Sequence, residues 1–245
     1  MADAYLLVSH GSRDPRPQIA VTQLAQQLSL WLQQFSPVRS PILVATAQLE
    51  LADKPLHVQI GDFARSCTAV GATRVIILPL FLIPGVHVMD DIPAEIALAE
   101  SEVGDRVKLV VAPFLGSHPD FANLFARNRS CLSSQSIILA HGSRRAGGNA
   151  IVEQLAHNLD LKVAYWSVTP SLADRVVALV ATGTTEIGIL PYFLFAGGIT
   201  DAIDQLVAQL REQFPQVKLI LCEPIGNSSE LVTTIGKIFG SIDRQ

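Results

Sequence analysis

Cysteine is scarce and poorly spaced for chemistry. Cys67, Cys131 and Cys222 stand far apart, so there is no CxxC pair for a metal or an iron–sulfur cluster and no disulfide framework. The expected fate of all three is a buried, inert thiol in a reducing, cytoplasmic setting. Charge is sparse too, at 16% of residues and a net of −4, which excludes the basic excess of a nucleic-acid or anionic-membrane binder. An anionic ligand must be met by local basic groups. The longest apolar run, 75–86 (VIILPLFLIPGV), is too short for a bilayer and carries two prolines, so it reads as a buried strand and its loop. The opening MADAYLL lacks the basic flank and cleavage site of a signal peptide. Low-complexity tracts are missing as well, and a 49% hydrophobic composition suits an α/β protein whose strands are buried on both faces.

What is present is a repeat. The stretch 5–16, YLLVSHGSRDPR, returns at 136–147 as SIILAHGSRRAG. Residues 71–82 (GATRVIILPLFL) likewise match 183–194 (GTTEIGILPYFL), and 112–116 (APFLG) matches 223–226 (EPIG) with one residue fewer. Apolar runs ending in polar, Gly-containing corners alternate with stretches of helical periodicity. Strands are expected near 5–10, 41–47, 73–81 and 107–113, with helices at 15–35, from Pro55 to about Val70, from about Asp90, and at 118–129. The second half repeats this with strands at 136–141, 161–167, 186–191 and 217–222 and helices at 148–159, 171–182, 199–213 and 228–239. The fold class is therefore α/β: two similar doubly wound, four-stranded parallel sheets related by internal duplication; an order of 2-1-3-4 would set the ends of the second and third strands beside the first. The expected division is 1–117, bearing the active site, a linking helix within 118–135, and 136–245.

Open parallel sheets place ligands at the carboxyl ends of their strands. His10 and His141 stand there, each followed by Gly, Ser and Arg. Glu50 follows the second strand and His87 the third, so two imidazoles and a carboxylate converge on one crevice, a constellation fit for a divalent ion or for proton transfer. Competing readings are structural: Ser12 and Ser143 as helix caps, Glu50 paired with Lys54, His87 as a loop former, and Arg16 and Arg145 as solvated charges. His57 and His157 read as solvated helix positions, and His118 as the start of the linking helix. The constellation is not duplicated. After the second strand of the second half stand Ser167, Val168, Thr169 and Pro170, with Thr169 or a neighbour at the place of Glu50, and the 195–200 loop holds no histidine. The expectation is that only the first half is active and that the second closes the cleft and contacts substrate.

Three motifs, LLVSHGSRDPR at 6–16, LELADKP at 49–55 and VIILPLFLIPGVHVMDDIP at 75–93, resemble the class II tetrapyrrole chelatases, specifically the sirohydrochlorin cobaltochelatase and ferrochelatase family in its long, two-domain form. The resemblance covers nearly the whole chain. It implies a lyase that inserts Co2+ or Fe2+ into sirohydrochlorin for cobalamin or siroheme biosynthesis, with His10, His87 and Glu50 as catalytic and metal-handling residues. The family's cysteine cluster motif and histidine-rich tract are absent here, so no iron–sulfur cluster and no tightly bound cofactor is expected; the metal is substrate. Ser12, Arg13, Arg16, His141 and Arg144 are the candidates for the carboxylates of the tetrapyrrole. The chain is expected to act as a monomer. The alternatives are a tetrapyrrole or metal carrier without turnover and a histidine phosphatase, the latter disfavoured because Ser9 and Ala140 precede the two histidines where that chemistry needs Arg.

Overall fold

The computed structural model describes residues 2–35, 42–127, 133, 135–226 and 228–242. Two compact units are present, one comprising Met1–Phe121 with Asn227–Gln245, the other Ala122–Gly226. In the first, β1 (Ala2–Ser9), α1 (Pro15–Phe35), β2 (Val44–Gln48), α2 (Leu56–Ala69), β3 (Ala72–Pro79), α3 (Ile92–Val103) and β4 (Lys108–Val111) follow one another, and the parallel sheet runs β2-β1-β3-β4. The order is thus 2-1-3-4. Strand β3 leaves the sheet at Pro79 rather than Phe81. Of the expected second strand, Pro41 lies outside the described residues, as does Arg129 at the end of the linking helix.

Strand period dictates which helices cover which face. Ala4, Leu6 and Val8 point to one side with Val75 and Ile77, where Leu56, Ile60 and Ala64 of α2 and Ile92, Ile96 and Ala99 of α3 close a continuous buried core. Tyr5, alternate with these, points to the other face, where its ring lies 4.4 Å from that of Phe239. Phe239 belongs to α8 (Ser229–Ile242), the last helix of the chain, which lies against α1. There Gly236 meets the ring of Trp31 so closely that a Cβ would stand 2.1 Å from it. The contiguous division expected from the repeat, 136–245 as one domain, therefore differs from the grouping of the backbone, because α8 completes the first unit. Periodicity marks the apolar face of a helix but not the sheet that it covers.

Helix α4 (Pro119–Arg127) leads into the second unit, which holds β5 (Ser136–Ala140), α5 (Ala150–Leu159), β6 (Lys162–Tyr165), α6 (Leu172–Ala181), β7 (Glu186–Tyr192), α7 (Gly198–Gln213) and β8 (Lys218–Leu221), its sheet ordered β6-β5-β7-β8. The division between the units falls inside α4, whose Phe125 stacks edge-on against Tyr192 at 4.9 Å. Ile137, Leu139 and Ile189 face Leu172, Val176, Ile203 and Val207 in a core equivalent to that of the first unit. Ser171 caps α6, accepting from Asp174 N at 3.2 Å while Asp174 Oδ2 accepts from Ser171 N at 2.8 Å. The cysteines depart from expectation: Cys67 is a free, buried thiol, but Cys222 is disulfide-bonded, and Cys131 lies outside the described residues. Sequence spacing cannot show a bond that tertiary proximity creates. No helix among the described residues is long and apolar enough to cross a membrane.

Candidate metal centre

His10 leaves the carboxyl end of β1, where the chain must turn sharply beside β2. Leu49 N donates to Ser9 O and Glu50 N to His10 O, both at 2.9 Å, so the loop after β2 is pinned to the end of β1 and to His10. Gly11 makes this approach possible: at φ +98° it occupies a region open to glycine, and a Cβ there would stand 2.0 Å from the Glu50 carbonyl oxygen. His87 arrives from the third loop and begins a π-helical turn, His87–Asp91, in which Ile92 N reaches back to His87 O. Pro79 and Pro191, paired with the equivalent residues Val8 and Leu139 of the neighbouring strands, are followed by equivalent first buried apolar residues of the next helix, Ile92 and Ile203. The first unit has one residue more between them, and a single inserted residue is what converts an α-turn into a π-turn.

The result is one cluster: ligand atoms of His10, Glu50 and His87 all lie within 4.8 Å of one another. The two Nε2 atoms are 3.1 Å apart with the rings edge-on, and Phe81 lies beside both, at ring distances of 6.3 and 6.4 Å. Hydrogen bonding assigns the tautomers. Nδ1 of His10 faces the Gly11 carbonyl at 3.1 Å, and Nδ1 of His87 faces Asp91 Oδ2 at 2.7 Å. Both partners only accept, so both Nδ1 atoms carry the hydrogen and both Nε2 atoms present lone pairs to each other. Two lone pairs at this distance repel unless a proton or a cation lies between them. A first-row divalent ion ~2.1 Å from each nitrogen would view the pair at roughly 95°, within the range of ordinary coordination. Glu50 supplies a third, anionic oxygen, and with no fourth ligand in the cluster among the described residues the coordination stays open.

The remaining candidates fall into distinct groups. Glu50 is not taken by Lys54, whose ammonium bonds Asp62 at 2.7 Å. Ser12 Oγ accepts from Asp14 N at 3.0 Å, a turn-forming role. Arg16 is bound by Asp14 in a fork whose closest contact is 2.5 Å, and this holds the Asp14 carboxyl below its usual range. Arg13 is exposed and makes no hydrogen bond or ion pair among the described residues; Arg144 in the second unit is in the same state. His57, read as solvated, is instead half-buried between α2 and α3, its Nδ1 2.8 Å from Glu95 Oε2. His118 accepts from Asp120 N at 3.3 Å, at the start of α4 as expected.

In the second unit His141 repeats the backbone lock of His10, with Nδ1 3.0 Å from Gly142 O, and Ser167 N donates to His141 O at 2.8 Å. Ser167, rather than Thr169, therefore occupies the place of Glu50. Asp91 escaped the sequence reading as a functional residue, where it figured only as a carboxylate at a helix start. The available signal was its spacing of four from His87, which puts both on one helical face.

A parallel α/β sheet carries at its strand ends a His–Glu–His cluster whose ligand atoms lie close enough together that they could hold a divalent ion. The chain belongs to the CbiX family, whose family model matches residues 4–130 and 135–239. Among its relatives, a sirohydrochlorin cobaltochelatase of Priestia megaterium is 26% identical over 94% of this chain and 76% of its own length. A chloroplastic sirohydrochlorin ferrochelatase of Arabidopsis thaliana is 32% identical over 48% of this chain and 47% of its own. Of solved structures, SirB from Bacillus subtilis with Fe3+ superposes at a TM-score of 0.75, with 20% identity, covering 98% of this chain and 95% of that one. At that identity the likeness is one of fold.

Proposed function

We propose that this protein is a chelatase that inserts a divalent metal ion, Co2+ or Fe2+, into sirohydrochlorin. The observation that carries the reading is the convergence of the His10 and His87 Nε2 lone pairs with the Glu50 carboxylate. Family membership and the activities named for the relatives agree with it. The metal is the substrate: the two imidazoles and Glu50 strip part of its water and hold it, and the positions they leave open are those that pyrrole nitrogens must take. Two N–H protons leave the macrocycle as one dication enters, so charge balances. His87 is the ring placed to receive a proton from the macrocycle once it releases the metal. An imidazolium formed there keeps the Asp91 carboxylate as partner, whereas Nδ1 of His10 faces only a carbonyl.

Arg13 is the free guanidinium beside His10 and takes a peripheral carboxylate of the tetrapyrrole, with the Ser12 hydroxyl as a second donor. Arg16 contributes only if it exchanges Asp14 for substrate. In the second unit, His141 with Arg144 and Ser167 keeps donors but has no carboxylate at the place of Glu50, which turns a cation site into one suited to a carboxylate. A monomeric, cytoplasmic protein belongs to this reading. The test is anaerobic incubation of sirohydrochlorin with Co2+, Fe2+ or Ni2+ and substoichiometric protein, followed by absorbance. Many turnovers per protein with Co2+ or Fe2+ are expected; a change that stops at one equivalent would make the protein a carrier.

A further inference from the structure

The two units contain the same loop after their second strand, and they treat its second residue oppositely. In the second unit Ser167 is followed by Val168, partly buried, whose side chain lies over Gly142 so that a Cβ on that glycine would come within 2.8 Å of it. In the first unit Glu50 is followed by Leu51, which adopts φ +62°, a left-handed conformation that a leucine rarely occupies, and leaves its side chain 56% exposed. Strain of this kind persists where the surroundings impose it and collects at functional sites. Here it turns an apolar side chain out of the protein, next to a residue of the metal cluster. Two more exposed apolar residues adjoin the cluster by the other route, Val86 at 55% beside His87 and Met89 at 47% one turn-half further on. Leu51 directly follows Glu50, Val86 directly precedes His87 and Met89 stands two residues after it, so the two segments that bring Glu50 and His87 together also carry three exposed apolar side chains.

We infer that Leu51, with Val86 and Met89, is the surface on which the flat apolar face of the macrocycle rests while the cluster reaches its centre. This rests on the chelatase reading and adds to it a substrate-contacting residue that holds no metal. A planar ring system with anionic edges needs apolar contact at its face and cations at its rim, and exposed Leu51 and Arg13 are carried by the loops that hold Glu50 and His10.

The test is titration of the full-length protein with metal-free sirohydrochlorin, read by fluorescence, for wild type, Leu51→Asn and Leu51→Met, with Co2+ absorption spectra and thermal melts on the same samples. Asparagine accepts the left-handed conformation but removes the apolar contact. Leu51→Asn is expected to raise the dissociation constant for sirohydrochlorin about tenfold, an effect scaled to half the burial of a leucine side chain. Its Co2+ spectrum should be unchanged and its melting temperature equal or higher; Leu51→Met should bind like wild type. Unchanged sirohydrochlorin affinity in Leu51→Asn, with wild type binding normally, overturns this inference and leaves the chelatase reading standing. So does an altered Co2+ spectrum with a lower melting temperature, which would make Leu51 a support for the Glu50 loop. Failure of wild type to bind sirohydrochlorin sinks both.

Discussion

His10 and His87 face each other through Nε2 atoms 3.1 Å apart, each ring fixed by a hydrogen bond on its far side, one to a backbone carbonyl and the other to Asp91. The carbonyl cannot be changed by mutation, but Asp91 can. Removing a partner that orients a ligating imidazole costs ~10–100-fold in metal affinity in characterised sites. Asp91→Ala should weaken Co2+ binding, measured by visible absorption titration, by that order. Asp91→Asn, whose amide oxygen still accepts the Nδ1 hydrogen, should bind more tightly than Asp91→Ala. Equal affinity in all three proteins would remove Asp91 from the account.

Gly11 is the backbone condition for the cluster. Alanine there must leave φ +98° or push the Glu50 carbonyl away, since a Cβ would lie 2.0 Å from that oxygen. Gly11→Ala should destabilise the first unit by about 1–3 kcal/mol in urea unfolding, the range for strained backbone, and should lose Co2+ binding even where the variant is folded. Retention of wild-type binding would mean that the loop after β2 can shift without moving Glu50.

The last helix of the chain sets the stability of the first sheet. Phe239 of α8 is fully buried and stacks on Tyr5 of β1. Phe239→Ala should cost about 3–5 kcal/mol by the usual cavity and transfer effects, and the loss should appear in the transition that also abolishes Co2+ binding. If the metal site survives while a separate transition weakens, α8 serves the other unit.

Burial pushes the Cys67 thiol up to about 11. The protonated form is favoured in the folded chain, so its contribution to stability is complete below the ordinary thiol range near ~8.5 and disappears as pH rises from there through about 11. Iodoacetamide at neutral pH should therefore label Cys67 only as fast as the protein unfolds, followed by mass spectrometry of its peptide. Rapid labelling of the native protein would contradict the buried position.

Much of this was legible in the residues, for identifiable reasons. The repeat of HGSR after two apolar runs carried the duplication, and alternating periodicities carried the succession of strands and helices, because parallel strands buried on both faces leave a clear signal. His10, Glu50 and His87 emerged from their places after three neighbouring strands. What escaped depends on contacts between distant segments. The placement of α8 on the first unit, the disulfide at Cys222 and the burial of His57 beside Glu95 leave no local mark. The π-turn and the left-handed Leu51 are local, but single-residue comparison of the two units is needed to see them.

The central claim is that one cluster, His10 with Glu50 and His87, delivers the metal. The most direct measurement is the initial rate of Co2+ insertion into sirohydrochlorin by wild type and by a folded His10→Ala protein, under anaerobic conditions at saturating substrate. Loss of one of two imidazole ligands, with the hole it leaves in the proton path, should lower the rate by at least ~100-fold, the usual scale for a group in direct contact with the reacting centre. A His10→Ala protein with the melting temperature and the insertion rate of wild type would contradict the account.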